Sequence, residues 1–161
     1  MSPTVVSSAP RVKRALVQRL RDDPALSGVQ VSHGHPYPEK PEGALIEVRR
    51  SRPADPVGVM PGGHTQAAHG SRGEREERYT IDVVVTVQAT PRNRYPDMEE
   101  QAYAIASLVD ANVRAWQLTT PAAFDGVARW VLVSSTEDDE ALDNDAREAS
   151  VLVTLAVAAR I

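Results

Sequence analysis

The clearest hydrophobic pattern along the chain is the alternation in RYTIDVVVTVQA, residues 78–89. A period of two places alternate side chains on one face of a β-strand. The apolar set on that face is Tyr79, Ile81, Val83, Val85 and Val87. Shorter apolar stretches bounded by turn residues predict further strands. They cover residues 29–33, 44–50, 130–136 and 147–161.

Two other segments follow the 3.6-residue period of an amphipathic helix. The first starts at Ser8, tolerates Pro10 in its first turn and stops near Pro24. Its apolar stripe is Ala9, Val12, Leu16, Val17 and Leu20. The second covers residues 97–116, where Asp97 and Glu100 resemble a capping box. Its apolar stripe is Met98, Ala102, Ile105, Val109, Val113 and Trp116.

The predicted element order is helix, strand, strand, strand, helix, strand, strand. Short connections between consecutive strands favour antiparallel pairing, and an amphipathic helix must bury its stripe against a sheet. We therefore expect one α+β domain over residues 1–161, with a mixed, mostly antiparallel sheet of about five strands. Both helices pack on one face of that sheet. A long loop, residues 52–77, separates the second and third strands and contains GVMPGGHTQAAHGSRGEREE.

Composition narrows the class of protein. Aromatic residues make up 4% of the 161, so the core must be built mainly from aliphatic side chains. The chain has no cysteine, which excludes disulfides and thiol chemistry. No apolar run is long enough to span a membrane, and the N-terminus does not have the pattern of a signal peptide.

Charge is distributed unevenly along the chain. Residues 1–78 carry 12 basic and 9 acidic side chains, a net charge of +3. Residues 79–161 carry 6 basic and 13 acidic side chains, a net charge of −7. The total of −4 gives no basic footprint for nucleic-acid binding. Such asymmetry instead favours association between copies of the chain or with other proteins.

No motif in the sequence predicts a catalytic site. His64 and His69 are five residues apart in a glycine-rich segment without a third ligand, which favours a solvated loop over a metal site. His33 and His35 are typical of an ordinary strand end. Gly62-Gly63 lacks the lysine of a phosphate-binding loop, and no nucleophile elbow is present. We therefore expect no enzyme activity, no metal and no cofactor.

Two charged surfaces remain as candidates for contacts with partners. Arg11, Arg14 and Arg21 lie on the polar side of the first helix, which is either a solvent face or a surface between subunits. An acidic run near the C-terminus lacks the ligand alternation and the glycine of an EF-hand, and reads as a hydrated loop or a repeated negative surface. The run contains Glu137, Asp138, Asp139, Glu140, Asp143 and Asp145.

The sequence resembles the tail terminator (tail-completion) proteins of long-tailed bacteriophages over nearly its whole length. The stretches that carry the resemblance begin with RVKRALVQRL in the first helix and VQVSHGHPYPEKPEGALIEVRR in the first strand pair. They continue with RYTIDVVVTVQATP, DMEEQAYAIASLVDANVRA and the final VTLAVAARI. The resemblance is one of element order, size and loop placement, since this family has no catalytic signature.

The resemblance implies a structural subunit of the virion, assembled in the host cytoplasm. It would form a ring, typically a hexamer, that ends polymerisation of the tail tube and docks the head-completion or connector protein. DNA would only pass through the channel, and no membrane would be involved. The alternatives are another head-tail connector or tube-related subunit, a non-viral adaptor that binds a peptide along a sheet edge, and a small enzyme with a scattered active site.

A ring would assign roles to the charged residues. The loop should become ordered against a neighbouring subunit, and the acidic run should face the channel so that DNA passes without sticking. The expected contact residues are Arg11, Arg14, Arg21, His64, His69, Arg72 and Arg75. The expected channel residues are Glu137, Asp138, Asp139, Glu140, Asp143 and Asp145.

Overall fold

The computed structural model describes residues 7–34, 43–53, 67–68, 75–88, 95–119, 128–138 and 148–160. These ranges contain two α-helices, α1 (Ala9–Asp22) and α2 (Tyr95–Thr119), and a 3-10 turn at Pro24–Leu26. The strands are β1 (Gln30–His33), β2 (Ala44–Pro53), β3 (Ala67–Ala68), β4 (Arg75–Gln88), β5 (Ala128–Asp138) and β6 (Glu148–Arg160).

The strands form one sheet in the order β1-β2-β4-β6-β5, and the short β3 pairs with the start of β4. Adjacent strands from β2 to β5 in this order are antiparallel, whereas β1 runs parallel to β2. The expected α+β fold with a mixed, mostly antiparallel sheet is confirmed. The general preference of consecutive strands for antiparallel pairing does not hold for the first two, which are parallel and make the sheet mixed.

Both helices cover the same face of the sheet. The apolar stripe of α1 and that of α2 share one buried cluster with the odd-numbered residues of β4, from Tyr79 to Val87. α1 contacts β1 and β2, and α2 contacts β4, β5 and β6. Burial of this aliphatic layer supplies the main driving force for folding, at roughly 25 cal/mol per Å² of apolar surface. The alternation in β4 and the two helical stripes were therefore interpreted correctly.

The start of α2 differs from the predicted one, and a proline explains the difference. α2 begins at Tyr95 and places Pro96 in its first turn, where the fixed φ of proline suits a helix. Asp97 therefore lies inside the first turn, where a carboxylate complements the helix dipole, and is not the cap. At α1, Ser8 occupies the cap position as predicted, but its side chain does not cap the helix.

Strand ends extend into segments that were expected to be loops. β2 continues to Pro53 and β4 starts at Arg75, so both ends of the predicted 52–77 loop belong to the sheet. β5 continues through Glu137 and Asp138, the first two residues of the predicted acidic loop. Most of the long loop, residues 54–66 and 69–74, lies outside the described residues. Its expected ordering on assembly stays a prediction.

Candidate functional site

The two edges of the sheet differ in construction. At one edge β1 pairs only with Leu45–Val48 of β2 and ends at His33. Gly34 follows with a φ of 81° and donates its N–H to the Val48 carbonyl at 2.8 Å, the last rung of this ladder. A left-handed φ is readily adopted by glycine, which lets the chain leave the strand here. The second half of β2 therefore extends past β1.

A cleft of about 760 Å³ lies beside the part of β2 that β1 does not cover. Most of its polar lining is cationic. The basic side chains are Lys13 from α1, His33 from β1, and Arg49, Arg50 and Arg52 from β2. Among the described residues that line the cleft, Asp82 from β4 is the one carboxylate. We call this feature the basic cleft.

Two of the arginines in the basic cleft are paired within the chain. Arg49 donates to Glu47 at 2.6 Å, and Arg52 donates to Asp82. Both carboxylates lie on the sheet face away from the helices and are nearly buried, at 3% and 8% exposure. Burial of a carboxylate is costly without such a partner. The carboxylates therefore neutralise part of the cleft, and the Arg52 side chain stays 65% exposed.

The remaining cations of the basic cleft have no carboxylate partner among the described residues. Lys13 Nζ lies 3.5 Å from the Arg49 carbonyl oxygen, and Arg50 is exposed. The charge of Lys13 also affects the imidazole of His33. Partial burial lowers the pKa of His33, and the charges of Lys13, Arg14 and Arg21 lower it further. The cleft thus presents positive potential to an approaching group.

The opposite edge of the sheet is formed by β5. This strand pairs with β6 on one side, with irregularities between Ala128 and Trp130 and between Val133 and Ser135. Leu132 is 51% exposed, unusual for a leucine side chain in a sheet. At the end of β5, Glu137 and Asp138 are both exposed. The edge therefore combines an apolar centre with an acidic end.

Glu137 and Asp138 point to different faces of the sheet. The register pairs Glu137 with Leu152 and Asp138 with Val151, whose side chain belongs to the core beneath the helices. On that side Asp138 accepts a hydrogen bond of 2.7 Å from the Tyr103 hydroxyl of α2. This bond raises the pKa of Tyr103. Glu137 lies on the face that the helices do not cover.

The predicted arginine stripe of α1 is divided between two environments. Arg11 and Arg14 are exposed on the helix surface. Arg21 instead donates from Nε and from a terminal nitrogen to the Val31 carbonyl, at 3.1 and 2.9 Å. Its guanidinium therefore covers an edge carbonyl of β1, a common way of protecting a sheet edge. Arg21 serves the fold as well as the surface.

Arg14 also lines a second cavity, a groove of about 650 Å³ between α1 and α2. Arg19 lines it too, with the guanidinium carbon 5.3 Å from the ring centroid of Trp116. Nearby, the Asn112 amide donates to Asp23, which also accepts the Ala25 N–H. The Asn112 bond and then the Ala25 bond lower the pKa of Asp23. These contacts fasten the two helices together and leave the groove mixed in charge.

A buried carboxylate, which the sequence patterns did not single out, links the start of β4 to the start of α1. Glu77 is fully buried. Its Oε2 accepts the Ser8 backbone N–H at 2.8 Å and the Ser8 hydroxyl at 2.7 Å, and its Oε1 accepts the Ser7 hydroxyl at 2.6 Å. The Tyr79 hydroxyl lies 3.0 Å from Ser8 Oγ. Burial raises the pKa of Tyr79 well above its usual range.

The burial of Glu77 could have been predicted from the sequence. It has the same parity as Tyr79 and Ile81, so extending the alternation of β4 by one step places it on the buried face. The glycine-rich and charged neighbours hid this signal. We call Glu77, Ser7, Ser8 and Tyr79 the Glu77 anchor, which fixes the entry of α1 to the sheet.

Several of the predicted contact and channel residues lie outside the described residues. They are His64, His69, Arg72, Asp139, Glu140, Asp143 and Asp145. Arg75 is in β4, opposite Ala68 of β3. Among the residues that the structure describes, no group of three or more His, Asp or Glu side chains is arranged to hold a metal ion. The same residues include no helix that is both long enough and apolar enough to cross a bilayer.

Comparison with known proteins finds a similar fold in a chain of a virion. No protein-family model and no curated protein sequence match the chain. Its fold is similar to that of a chain in the virion of a native gene transfer agent particle, with a TM-score of 0.62 and 15% identity. That match covers 98% of this chain and 100% of the other.

A second solved structure is more distant. The sheath/tube terminator of an extracellular contractile injection system, in the extended state, aligns with a TM-score of 0.47 and 13% identity. The alignment covers 98% of this chain and 58% of the terminator chain. At such identities the first similarity is one of fold, and it extends over the whole of the other chain.

Proposed function

We propose that the protein is a structural subunit of a phage-like tail, and that it forms a ring at the head-proximal end of the tail tube. There it ends tube polymerisation and provides the surface to which the head-completion or connector protein binds. The observation that carries this proposal is the fold match to a virion chain over nearly the full length of both chains. The resemblance of the sequence to tail terminators points in the same direction.

The construction of the sheet suits a ring subunit. In a closed ring each subunit presents two different surfaces, one to each neighbour. Here one edge of the sheet carries the basic cleft and the other carries β5 with its acidic end. Edge strands left without cover promote association with another chain. The two edges supply a pair of unlike, charge-complementary surfaces.

A structural role also accounts for the lack of a cluster of reactive side chains among the polar residues that the structure describes. On the sheet face away from the helices, Arg52 pairs with Asp82, and the hydroxyls of Thr86 and Ser150 lie within hydrogen-bond distance of each other. Their contribution is to a stiff sheet. We accordingly assign the protein a structural role in the virion, with tube protein, connector protein and further copies of itself as partners.

Disrupting the gene that encodes this protein tests the proposal. The expected result is tail tubes longer than normal and heads without tails, both visible by electron microscopy, with normal particles restored by a plasmid copy. Tubes of normal length that fail to join heads would instead assign the protein to the connector. Normal, infectious particles would contradict a role in tail assembly altogether.

A further inference from the structure

The groove of about 650 Å³ between α1 and α2 lies on the layer of helices. α1 contacts β1 and β2, whereas α2 contacts β4, β5 and β6. The groove is therefore over the middle of the sheet, away from both edges, and stays accessible when copies of the chain meet edge to edge. We call it the helix groove. Its lining includes Arg14, Gln18, Arg19 and Asp22 of α1, and Asn112 and Trp116 of α2.

The two cations of the helix groove have no acceptor within the described part of the chain. Arg19 lies over the ring of Trp116, and its Nε is buried without a hydrogen-bond partner among the described residues. Arg14 is exposed and forms no hydrogen bond or ion pair with a described residue. Partly enclosed donors without an acceptor are costly in free energy, and an incoming acceptor would recover that cost.

The carboxylates of the helix groove, in contrast, already have donors. Asp22 accepts a hydrogen bond of 2.9 Å from the Gln18 amide, and Asp23 accepts the Ala25 N–H and the Asn112 amide. The hydrogen-bonding capacity that is left in the groove is therefore that of donors. Guanidinium groups bind carboxylates and phosphates with paired hydrogen bonds. The helix groove thus fits an anionic group.

Two features favour a carboxylate side chain over a nucleic-acid backbone as that group. Asp22 and Asp23 place negative charge in the wall of the groove, which would repel a run of phosphates, and the whole chain has a net charge of −4. Trp116 adds a partly buried aromatic surface beside Arg19, against which the methylene groups and apolar neighbours of an acidic residue can pack. Trp and Arg are residue types that often dominate the binding energy of contacts between proteins.

We propose that the helix groove is the docking site for an acidic residue of a second protein. The carboxylate of that residue binds Arg14 and Arg19, and the apolar residues next to it contact Trp116. The inference rests on the proposed function and specifies its surface for a partner: the edges of the sheet join copies of the chain, and the layer of helices binds the next protein of the tail.

Site-specific cross-linking identifies the occupant. The chain has no cysteine, so a benzophenone can be attached at Gln18→Cys, an exposed position of the helix groove. Irradiation of assembled particles should join this position to a segment of another particle protein that contains an aspartate or glutamate next to apolar residues. The matched control is Arg11→Cys, an exposed position of α1 that does not line the groove, and it should not reach that segment.

The products decide between the possible occupants. Cross-links to another copy of this chain, to DNA or to a segment without a carboxylate would overturn the docking site, as would equal products from both positions or no product in intact particles. Gene disruption tests the proposed function separately. Overlong tubes combined with any of these results would leave the function standing without this surface, whereas tubes of normal length combined with the expected cross-link would leave the surface without that function.

Substitution of matched arginines tests the chemistry of the contact. Arg14→Gln and Arg11→Gln remove the same charge from exposed positions of one helix, and only the first of these positions lines the groove. Arg14→Gln should weaken binding of the cross-linked partner to the purified protein by about tenfold, and Arg11→Gln by less than about twofold. Arg14→Glu should weaken it further, and replacing the partner's acidic residue by arginine should restore it. Equal effects of the two glutamine variants, or no restoration, would overturn the proposal.

Discussion

Glu77 and Glu137 look alike in the sequence, and the structure gives them opposite environments. Each lies in a stretch of charged residues next to a strand, GEREER in one case and STEDDE in the other. Glu77 is fully buried and accepts hydrogen bonds from Ser7 and Ser8. Glu137 is exposed at the end of an edge strand. The first carboxylate stabilises the fold of the subunit, and the second lies on its surface.

The difference follows from position in the sheet. β4 is central, with neighbours on both sides, so a side chain on its helix-facing side is enclosed even near the strand end. β5 is an edge strand, and Glu137 lies on the face opposite the helices. Charge density along the chain therefore did not distinguish a buried anchor from a surface. Strand order did, and strand order depends on pairings between residues far apart in sequence.

The largest expected effect comes from breaking the Glu77 anchor. Glu77→Ala removes the acceptor for three hydrogen bonds and leaves the Ser8 N–H buried without this partner. We expect a loss of about 2–4 kcal/mol in the free energy of unfolding, measured by urea denaturation. Glu137→Ala is the matched control and should change that free energy by less than about 0.5 kcal/mol. Equal effects at the two sites would remove the distinction between them.

A smaller effect should follow from removing one donor of the anchor. Ser8→Ala deletes the hydroxyl that donates to Glu77 and contacts Tyr79, while the Ser8 backbone N–H bond to Glu77 stays. The expected loss is about 1–2 kcal/mol by urea denaturation, because a hydrogen bond to a charged group is lost. Ser8→Gly tests whether helix capping contributes instead. If Ser8→Gly were as stable as the unsubstituted protein, the hydroxyl would have no role in the anchor.

At the acidic end of β5 the corresponding deletion should have little effect on stability. Tyr103→Phe removes the hydrogen bond from Tyr103 to Asp138, which is exposed to solvent. Exposed polar contacts contribute little, and the change in the free energy of unfolding should stay within about 0.5 kcal/mol. A loss as large as that of Ser8→Ala would mean that the end of β5 is part of the stable core.

The smallest effect concerns pH at the basic cleft. The pKa of His33 is lowered from 6.5, first by burial and then by the charges of Lys13, Arg14 and Arg21. The unfolded chain therefore binds a proton at this residue more readily than the folded chain does. Stability should fall as the pH drops below about 6.5 through the folded pKa of His33. In His33→Gln this slope should be shallower; an unchanged slope would show that folding does not lower the pKa of His33.

The parts of the fold that were predicted correctly are those with local, periodic signals. The alternation from Tyr79 to Val87 and the stripe from Ala9 to Leu20 both lie within single elements, so their buried faces could be read directly. The parallel pairing of β1 with β2 could not, because a four-residue strand carries no sign of its partner or direction. Local patterns specified the elements, whereas the pairing of edges came from long-range contacts.

The candidate site was less predictable for the same reason. The basic cleft combines residues of α1, β1, β2, β4 and β6, which are far apart in the sequence. Arg11, Arg14 and Arg21 stood out because they recur along one helix, yet Arg21 binds the Val31 carbonyl. Arg49 and Arg50 end the predicted strand 44–50, where nothing in the local pattern indicated a role. Their importance depends on β1 ending early, a feature of the sheet and not of the local sequence.

The most direct test of the central claim, that unlike sheet edges close copies of this chain into a ring, is native mass spectrometry of the protein mixed with its tube protein. The account predicts a single closed oligomer of defined subunit number, typical of a hexameric ring. A monomer, or an open series of oligomers without a preferred size, would contradict it.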